Sequence, residues 1–186
     1  MSKAVMLSIR PKWVEKIANG EKTIEVRKTK PKLDTPFKCY IYCTLQGCNE
    51  FFRVDLGRDV AKWNRGKWAD RKGKVIGEFT CDRIFSINVF DNGSIQNWLF
   101  EHMERSCLTY EELADYIGNG KTGYGWHISD LLIYDQPREL SEFQRATDPC
   151  DSCYAEYTWE CTDCKKFGGN IKRPPQSWCY VDDANA

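Results

Sequence analysis

The stretch Val5–Lys28 most constrains the fold, because it combines two strand patterns and one helix pattern in a short length of chain. From Val5 to Ile9, every second residue is apolar, which is the pattern of a strand with one apolar face. Pro11 suits the first turn of a helix, and apolar residues follow it at helical spacing. Gly20 ends that helix, since glycine readily adopts the left-handed conformation of a C-terminal cap, and an extended run follows from Lys22 to Lys28. The sequence predicts strand, helix, tight stop and strand.

The second predicted strand has two different faces. Ile24 and Val26 point toward the core, while Thr23, Glu25 and Arg27 point the other way. One interpretation is a solvated strand face that carries a Glu–Arg pair. The other is a functional face, which the residues alone do not establish.

Apolar periodicity and turn residues predict further strands and helices. Strands are predicted over Phe37–Thr44 and within Lys74–Phe90, and a helix over Ser94–Glu104. Thr109 and Glu112 have the spacing of a capping box at the start of a second helix. Cys39 and Cys43 fall on one face of the first of these strands, where we expect buried thiols.

Length and composition set the class of protein. A chain of 186 residues suffices for one domain with a full core, and 41% hydrophobic with 13% aromatic residues is ordinary globular composition. No uncharged apolar run approaches the ~18 residues that a membrane span requires, and the N-terminus shows no signal peptide. We therefore expect a cytoplasmic protein without a membrane segment.

Three sequence patches together resemble the ASCH domain, a small PUA-like β-barrel family with a G-x-K-T-x-E-x-R signature. The first runs from Ser8-Ile9-Arg10-Pro11-Lys12 through the helix to Gly20–Arg27. The second, Gly73–Phe79, is similar to the family's central strand. The third, Gly123–Ile128, is similar to the late strand that completes the barrel.

The resemblance implies a fold and a division of the chain. It covers residues 4–135 and a last strand around Ser177–Val181. The implied fold is α+β: a small mixed, mostly antiparallel PUA-like β-barrel with flanking helices and a C-terminal zinc-knuckle insertion. The predicted parts are the barrel at 1–138 with an insertion at 45–73, an excursion at 139–176, and a last strand with tail at 177–186.

Family membership would imply binding of RNA or a nucleotide-like ligand in a cleft beside the signature motif. The residues expected to line that cleft are Arg10, Lys12, Lys22, Thr23, Glu25 and Arg27. Arg10 and Lys12 would meet phosphate, and Glu25 would accept hydrogen bonds from a base amino group while Arg27 holds it. His127, on the late strand near the family's cleft, is a further candidate for ligand contact, with a structural role as the alternative.

A basic, aromatic insertion would extend that surface. Seven basic and two acidic residues lie between Arg58 and Lys74, and bases stack on rings while cations meet the backbone. The candidate contacts are Trp63, Arg65, Lys67 and Trp68. Up to Lys74 the chain has 18 Lys and Arg against 8 Asp and Glu, which suits a polyanion. The alternatives are that the two tryptophans anchor the loop on the barrel and that the basic half pairs with the acidic remainder.

A second hypothesis is an amidohydrolase acting on an acylated cytidine. One branch of the family hydrolyses N(4)-acetylcytidine with a lysine and a threonine on this strand and a glutamate near the later helix. Lys22 matches that lysine, but Glu25 stands at the position of the threonine, and the acidic partner falls on Glu104 or Ser106. Lys22 and Glu25 are therefore catalytic candidates only if hydrolysis follows another route, with Glu25 as general base.

Four of the ten cysteines form two C-x2-C pairs separated by seven residues. Cys150, Cys153, Cys161 and Cys164 can place four thiolates around one tetrahedral ion, and such a closed site is structural. Disulfides or free thiols are the alternatives, and a cytosolic location disfavours disulfides. A third functional hypothesis follows, in which the zinc knuckle of a regulatory protein contacts a protein partner.

Overall fold

The computed structural model describes residues 3–45, 71–92, 94–95, 100–146 and 169–183, and omits the side chains of residues 100 and 101. In chain order its strands are β1 (Lys3–Ile9), β2 (Ile24–Arg27), β3 (Phe37–Cys43), β4 (Val75–Cys81), β5 (Ile84–Asn88), β6 (Thr122–His127), β7 (Ser129–Arg138), β8 (Gln144–Arg145), β9 (Gly169–Asn170) and β10 (Trp178–Asp182). Its helices are α1 (Pro11–Ala18), α2 (Phe100–Ser106) and α3 (Tyr110–Ile117), with a 3-10 turn at Leu140–Glu142. Within these ranges, every helix is too short or too polar to cross a membrane.

The chain divides into two compact units. Unit 1 comprises Met1–Val14, Lys38–Glu78 and Leu132–Ala186, and unit 2 comprises Glu15–Phe37 and Phe79–Leu131. Each unit has its own sheet and its own core.

Unit 1 is built on a seven-stranded sheet in the order β7-β4-β3-β1-β10-β8-β9. β1 lies near its centre, parallel to β3 and antiparallel to β10. Both faces of β1 are buried, so the predicted strand with a single apolar face is wrong. The reason is its position between two neighbours in a covered sheet. The core on one side includes Met6, Tyr40, Phe143 and Val181, and the rings of Tyr40 and Phe143 meet edge to face.

Close strand approach in unit 1 requires a glycine at one position. A Cβ on Gly77 of β4 would lie 2.4 Å from the backbone oxygen of Leu132 in β7. Backbone cannot yield as a side chain can, so a larger residue would push the two strands apart.

Unit 2 contains a three-stranded antiparallel sheet in the order β2-β6-β5. Apolar residues of one sheet face form a core with residues of α3 and with Met103 of α2. The buried members of this core are Ile24, Val26, Ile87, Val89, Ile95, Leu113 and Ile117. Gly125 in β6 leaves room for the ring of Phe85, which a Cβ there would meet at 2.4 Å.

Both predicted helix-end signals are confirmed. Gly20 has φ +76 and follows α1, with its amide bonded to the Ile17 carbonyl. Thr109 accepts from the Glu112 amide while the Glu112 carboxylate accepts from the Thr109 amide, so the capping box forms at the start of α3.

The predicted α+β, mixed and mostly antiparallel class is confirmed, and the predicted last strand is present as β10, paired with β1. Within the described ranges the strands form two open sheets, and neither closes into a barrel. Cys39 and Cys43 are buried, as expected.

The predicted helix start at Ser94 is wrong. Ile95 instead forms a β-bridge with Val89, and the described helix begins at Phe100. The cause is local turn chemistry: the amide and hydroxyl of Ser94 both donate to the Asn92 side-chain oxygen.

Candidate functional site

The centre of the candidate site is a buried charge cluster on β2, formed by Lys22, Glu25 and Arg27. One carboxylate oxygen of Glu25 lies 2.9 Å from the Arg27 guanidinium, and the other lies 3.4 Å from the Lys22 ammonium. All three residues are buried, with exposed fractions of 2% for Lys22 and 6% for each of the other two. One acid is therefore held between two cations away from bulk water.

Lys22 makes its shortest contacts with backbone oxygens rather than with Glu25. Its ammonium donates to the carbonyl of Ser106 at 2.7 Å and to the carbonyl of Ile24 at 2.8 Å. An ammonium has three donors, and backbone carbonyls engage two of them here. The charge of Lys22 is thereby fixed in position.

The motif segment docks onto the C-terminal end of α2. The Thr23 amide donates to the Arg105 carbonyl at 2.9 Å, next to the bond between Lys22 and the Ser106 carbonyl. The last carbonyls of a helix lack partners within the helix and carry partial negative charge. Lys22 therefore caps α2 in addition to holding Glu25, and the sequence did not reveal this role.

The two interpretations of the β2 face can now be compared. The Glu–Arg pair is present, but the solvated face is wrong, because all four residues of β2 are buried. In the antiparallel register Glu25 lies opposite Trp126 and Arg27 lies opposite Tyr124, so the charged residues share their face with two rings. Trp126 is fully buried.

His127 forms a short pair with Asp82, with 2.6 Å between Nδ1 and the carboxylate. Both side chains are partly exposed, and His127 lies opposite Ile24 in the pairing of β6 with β2. The hydrogen bond to His127 holds the pKa of Asp82 below its ordinary value. Next to it, burial raises the pKa of the Cys81 thiol to about 12.

Arg10 and Lys12, the predicted phosphate contacts, belong to unit 1, whereas the charge cluster belongs to unit 2. Arg10 is exposed, and its carbonyl accepts from the amides of Trp13 and Val14 at the start of α1. The Lys12 ammonium lies 4.4 Å from the centroid of the Trp13 ring. Of the predicted cleft residues, the structure thus brings together Lys22, Glu25 and Arg27, with Thr23 beside them.

Two sets of predicted residues lie outside the described part of the chain. They are the insertion contacts Trp63, Arg65, Lys67 and Trp68, and the zinc ligands Cys150, Cys153, Cys161 and Cys164. Both predictions remain predictions. Within the described ranges, no group of three or more His, Cys, Asp or Glu side chains is placed to hold a metal ion.

The sequence also failed to reveal two exposed lysines that lie over tyrosine rings in unit 2. The Lys28 ammonium lies 5.2 Å from the centroid of the Tyr116 ring, and the Lys30 ammonium lies 5.6 Å from that of Tyr124. The alternation of Lys28, Lys30 and Lys32 after β2 was a visible signal, but the rings come from distant parts of the chain.

A second polar cluster lies in unit 1. Asp183, just after β10, accepts from the Lys38 ammonium at 2.9 Å and from the Tyr40 hydroxyl at 2.8 Å. The Tyr134 hydroxyl donates to Glu78, and burial together with this bond raises the pKa of Tyr134. This cluster ties the residue after β10 to β3.

Comparisons with known proteins identify a fold. No protein-family model matches the sequence, and no curated protein matches it. Among solved structures, the chain is similar to ASCH from Zymomonas mobilis, with a TM-score of 0.55 and 17% identity over 97% of this chain and 88% of that one.

Two variants of the same bacterial protein match equally. A tyrosine-to-phenylalanine variant gives a TM-score of 0.55 and 17% identity over 98% of this chain and 92% of that one. A serine-to-alanine variant gives the same TM-score and the same identity, over 97% of this chain and 89% of that one. The likeness shows that the chain has the ASCH fold.

Proposed function

We propose that this chain, which has the fold of the ASCH structures, binds RNA or a nucleotide-like ligand beside β2. The observation that carries the proposal is the buried cluster of Lys22, Glu25 and Arg27. Removing an ion from water costs several kcal/mol, even after the protein relaxes, and well-packed apolar residues could fill the same space. Lys, Glu and Arg are almost never fully buried unless they are paired, and a preformed cluster of such charges offers fixed partners to a polar ligand.

The cluster is suited to recognition. Each oxygen of Glu25 is next to a cation, which fixes the carboxylate as a hydrogen-bond acceptor in one orientation. A base amino group is a donor that such an acceptor selects. Thr23 and His127 of unit 2 are proposed as further ligand contacts, and Trp63, Arg65, Lys67 and Trp68 as contacts along an RNA strand. Arg10 and Lys12 of unit 1 stay predicted phosphate contacts.

The motif argues against the amidohydrolase alternative, because Glu25 stands at the position of the threonine that the hydrolysing branch of the family uses. Two donors of Lys22 are also engaged by backbone carbonyls. Binding without hydrolysis is therefore the better-supported function.

We also propose a structural zinc ion on Cys150, Cys153, Cys161 and Cys164, because two C-x2-C pairs supply a complete tetrahedral thiolate set. In this proposal the zinc holds the segment between residues 139 and 176 together and takes no part in ligand recognition. A protein partner for that segment is the third functional alternative.

The test of the binding function is a titration of the purified protein with fluorescein-labelled single-stranded RNA, followed by anisotropy at several salt concentrations. A steep fall of affinity with salt is expected, because each neutralised phosphate releases counterions. Titrations with single nucleotides, followed by amide chemical shifts, test the site itself, and the amides of residues 23–27 should respond. No binding of RNA and no response to any nucleotide would refute the function.

The hydrolase alternative has its own measurement. The protein is incubated with N(4)-acetylcytidine, and the release of cytidine is followed by liquid chromatography. No release above the buffer control is expected. Turnover that is lost in a Glu25→Gln variant would replace the binding function by the enzymatic one.

A further inference from the structure

We propose that an exposed surface of unit 2 docks single-stranded nucleic acid through Lys28, Lys30, Tyr116 and Tyr124, here called the lysine–tyrosine strip. The proposal rests on the proposed function and assigns to it a surface beyond the buried cluster. Lys28 directly follows Arg27 at the end of β2, so the strip continues from the candidate site.

The geometry of the strip pairs each cation with a ring. Lys28 and Lys30 are both exposed, and their ammonium groups lie 5.2 and 5.6 Å from the centroids of Tyr116 and Tyr124. Tyr116 on α3 is one of the few large apolar side chains that remain exposed in the described ranges, with 38% of its surface accessible. Tyr124 on β6 is half-buried and lies opposite Arg27.

This pairing of lysines with rings matches the phosphates and bases of a single-stranded nucleic acid. Bases stack on aromatic rings irrespective of sequence, and the backbone between them needs positive charge. Two residues of chain span at most about 7 Å, so the two lysines can meet neighbouring phosphates. Each ammonium that moves from its ring to a phosphate uncovers the ring for a base.

The charges of the surroundings favour a nucleic acid over an acidic protein. Thr29 alone separates the two lysines, and Lys32 continues the basic run at the same spacing. The rings beside those charges are flat surfaces on which bases can stack. An acidic protein segment would supply carboxylates for the lysines but no bases for the rings. The acids Glu112 and Asp115 lie on α3 with Tyr116 and repel a polyanion, so the attraction of the strip comes from the side of Lys28 and Lys30.

The experiment compares matched charge reversals in the full-length protein. Lys28→Glu/Lys30→Glu reverses the strip, and Lys172→Glu/Arg173→Glu reverses two exposed cations of unit 1 as the control. Each is titrated with a fluorescein-labelled 12-nucleotide single-stranded RNA at several salt concentrations. We expect the strip reversal to raise Kd at least tenfold and to lower the slope of log affinity against log salt by about 1.4, about 0.7 for each lost phosphate contact. The control should stay within about twofold of wild type.

Ring substitutions separate stacking from charge. Tyr116→Leu should raise Kd by about fivefold or more with an unchanged salt slope, because a stacking platform is lost but no charge. Tyr116→Phe keeps the platform and should bind as wild type does. Circular dichroism melts check the fold, and Lys28→Gln/Lys30→Gln, which only neutralises the charges, repeats the charge test with a milder change.

The outcomes distinguish a failure of the strip from a failure of the proposed function. RNA binding by the wild type that the strip variants leave equal to the control overturns the strip and leaves the proposed function intact. No RNA binding by the wild type at low salt overturns the strip, and the proposed function falls with it only if single nucleotides also leave the amides of residues 23–27 unchanged. Loss of binding on charge reversal with no effect of Tyr116→Leu, and equal affinity for heparin, identifies a general polyanion surface and overturns the assignment to nucleic acid.

Discussion

Replacing Lys22 by methionine tests whether the motif lysine holds the structure of unit 2 as well as its candidate site. Methionine keeps most of the length and apolar volume of the lysine stem, so the change removes mainly the charge and the donors. The carbonyls of Ser106 and Ile24 lose their bonds to the ammonium, and Glu25 loses one of its two cations.

The size of the effect follows from these contacts. A hydrogen bond to a charged group contributes about 1.5–3 kcal/mol, so two of them give about 3–6 kcal/mol. Removing one partner of a buried ion pair costs about 3–5 kcal/mol in measured cases. The two estimates concern different contacts of one ammonium. Glu25 keeps its pair with Arg27 and the ammonium no longer has to be desolvated, so we expect a net loss of about 4 kcal/mol, a large part of the ~5–15 kcal/mol that stabilises a typical domain.

Urea unfolding, followed by tryptophan fluorescence, measures this change. With a slope of about 2 kcal/mol per M, the midpoint should fall by about 2 M. The control is Lys16→Met, which removes a lysine from a 3.0 Å pair with Glu21 at the surface, and it should change the midpoint little because exposed pairs contribute little. A shift below about 0.5 M for Lys22→Met would refute the view that the buried ammonium is an essential cap of α2.

Three further predictions concern packing, thiol chemistry and metal. Gly77→Ala should destabilise the protein by more than Gly125→Ala in the same urea assay. The new Cβ would meet the backbone of Leu132 in the first variant and the ring of Phe85, which can turn, in the second. A larger loss for Gly125→Ala would contradict this reasoning. At pH 8 iodoacetamide should label half-buried Cys107 well before buried Cys81. The pKa of Cys81, about 12, keeps its thiol protonated until the protein unfolds. Rapid labelling of Cys81, detected by peptide mass spectrometry, would contradict its burial. Metal analysis should find about one zinc per chain, and none should remain after Cys150→Ser/Cys153→Ser; a zinc-free wild type purified without chelators would remove the knuckle from the description.

Local patterns predicted the parts of the fold that depend on local chemistry. The strand β1, the helix α1, its end at Gly20 and the Thr109 capping box all follow from residues within a few positions of one another. Ile95 shows the limit of such patterns. Its spacing suited a helix, but pairing with Val89 across the Asn92 turn determined its conformation.

The sequence indicated which residues share the candidate site but not that they are buried. Alternation along β2 put Glu25 and Arg27 on one face, which the structure confirms. The same alternation left open whether that face met water, because burial depends on what packs over it. The partner of Lys22, the Ser106 carbonyl, lies 84 residues away in the chain, so only the folded structure could reveal the cap.

The position of β1 has a consequence for how the protein is synthesised. β1 leaves the ribosome before β10, one of its two neighbours, which consists of residues 178–182 and pairs Tyr180 with Val5. One edge of β1 must therefore wait until residue 182 has been synthesised, and an open apolar edge can pair with another chain in the meantime. Pairings so distant in sequence also form slowly. A nascent or shortened chain that lacks β10 thus exposes an edge of this buried strand, so we expect it to bind chaperones rather than to form a smaller folded protein.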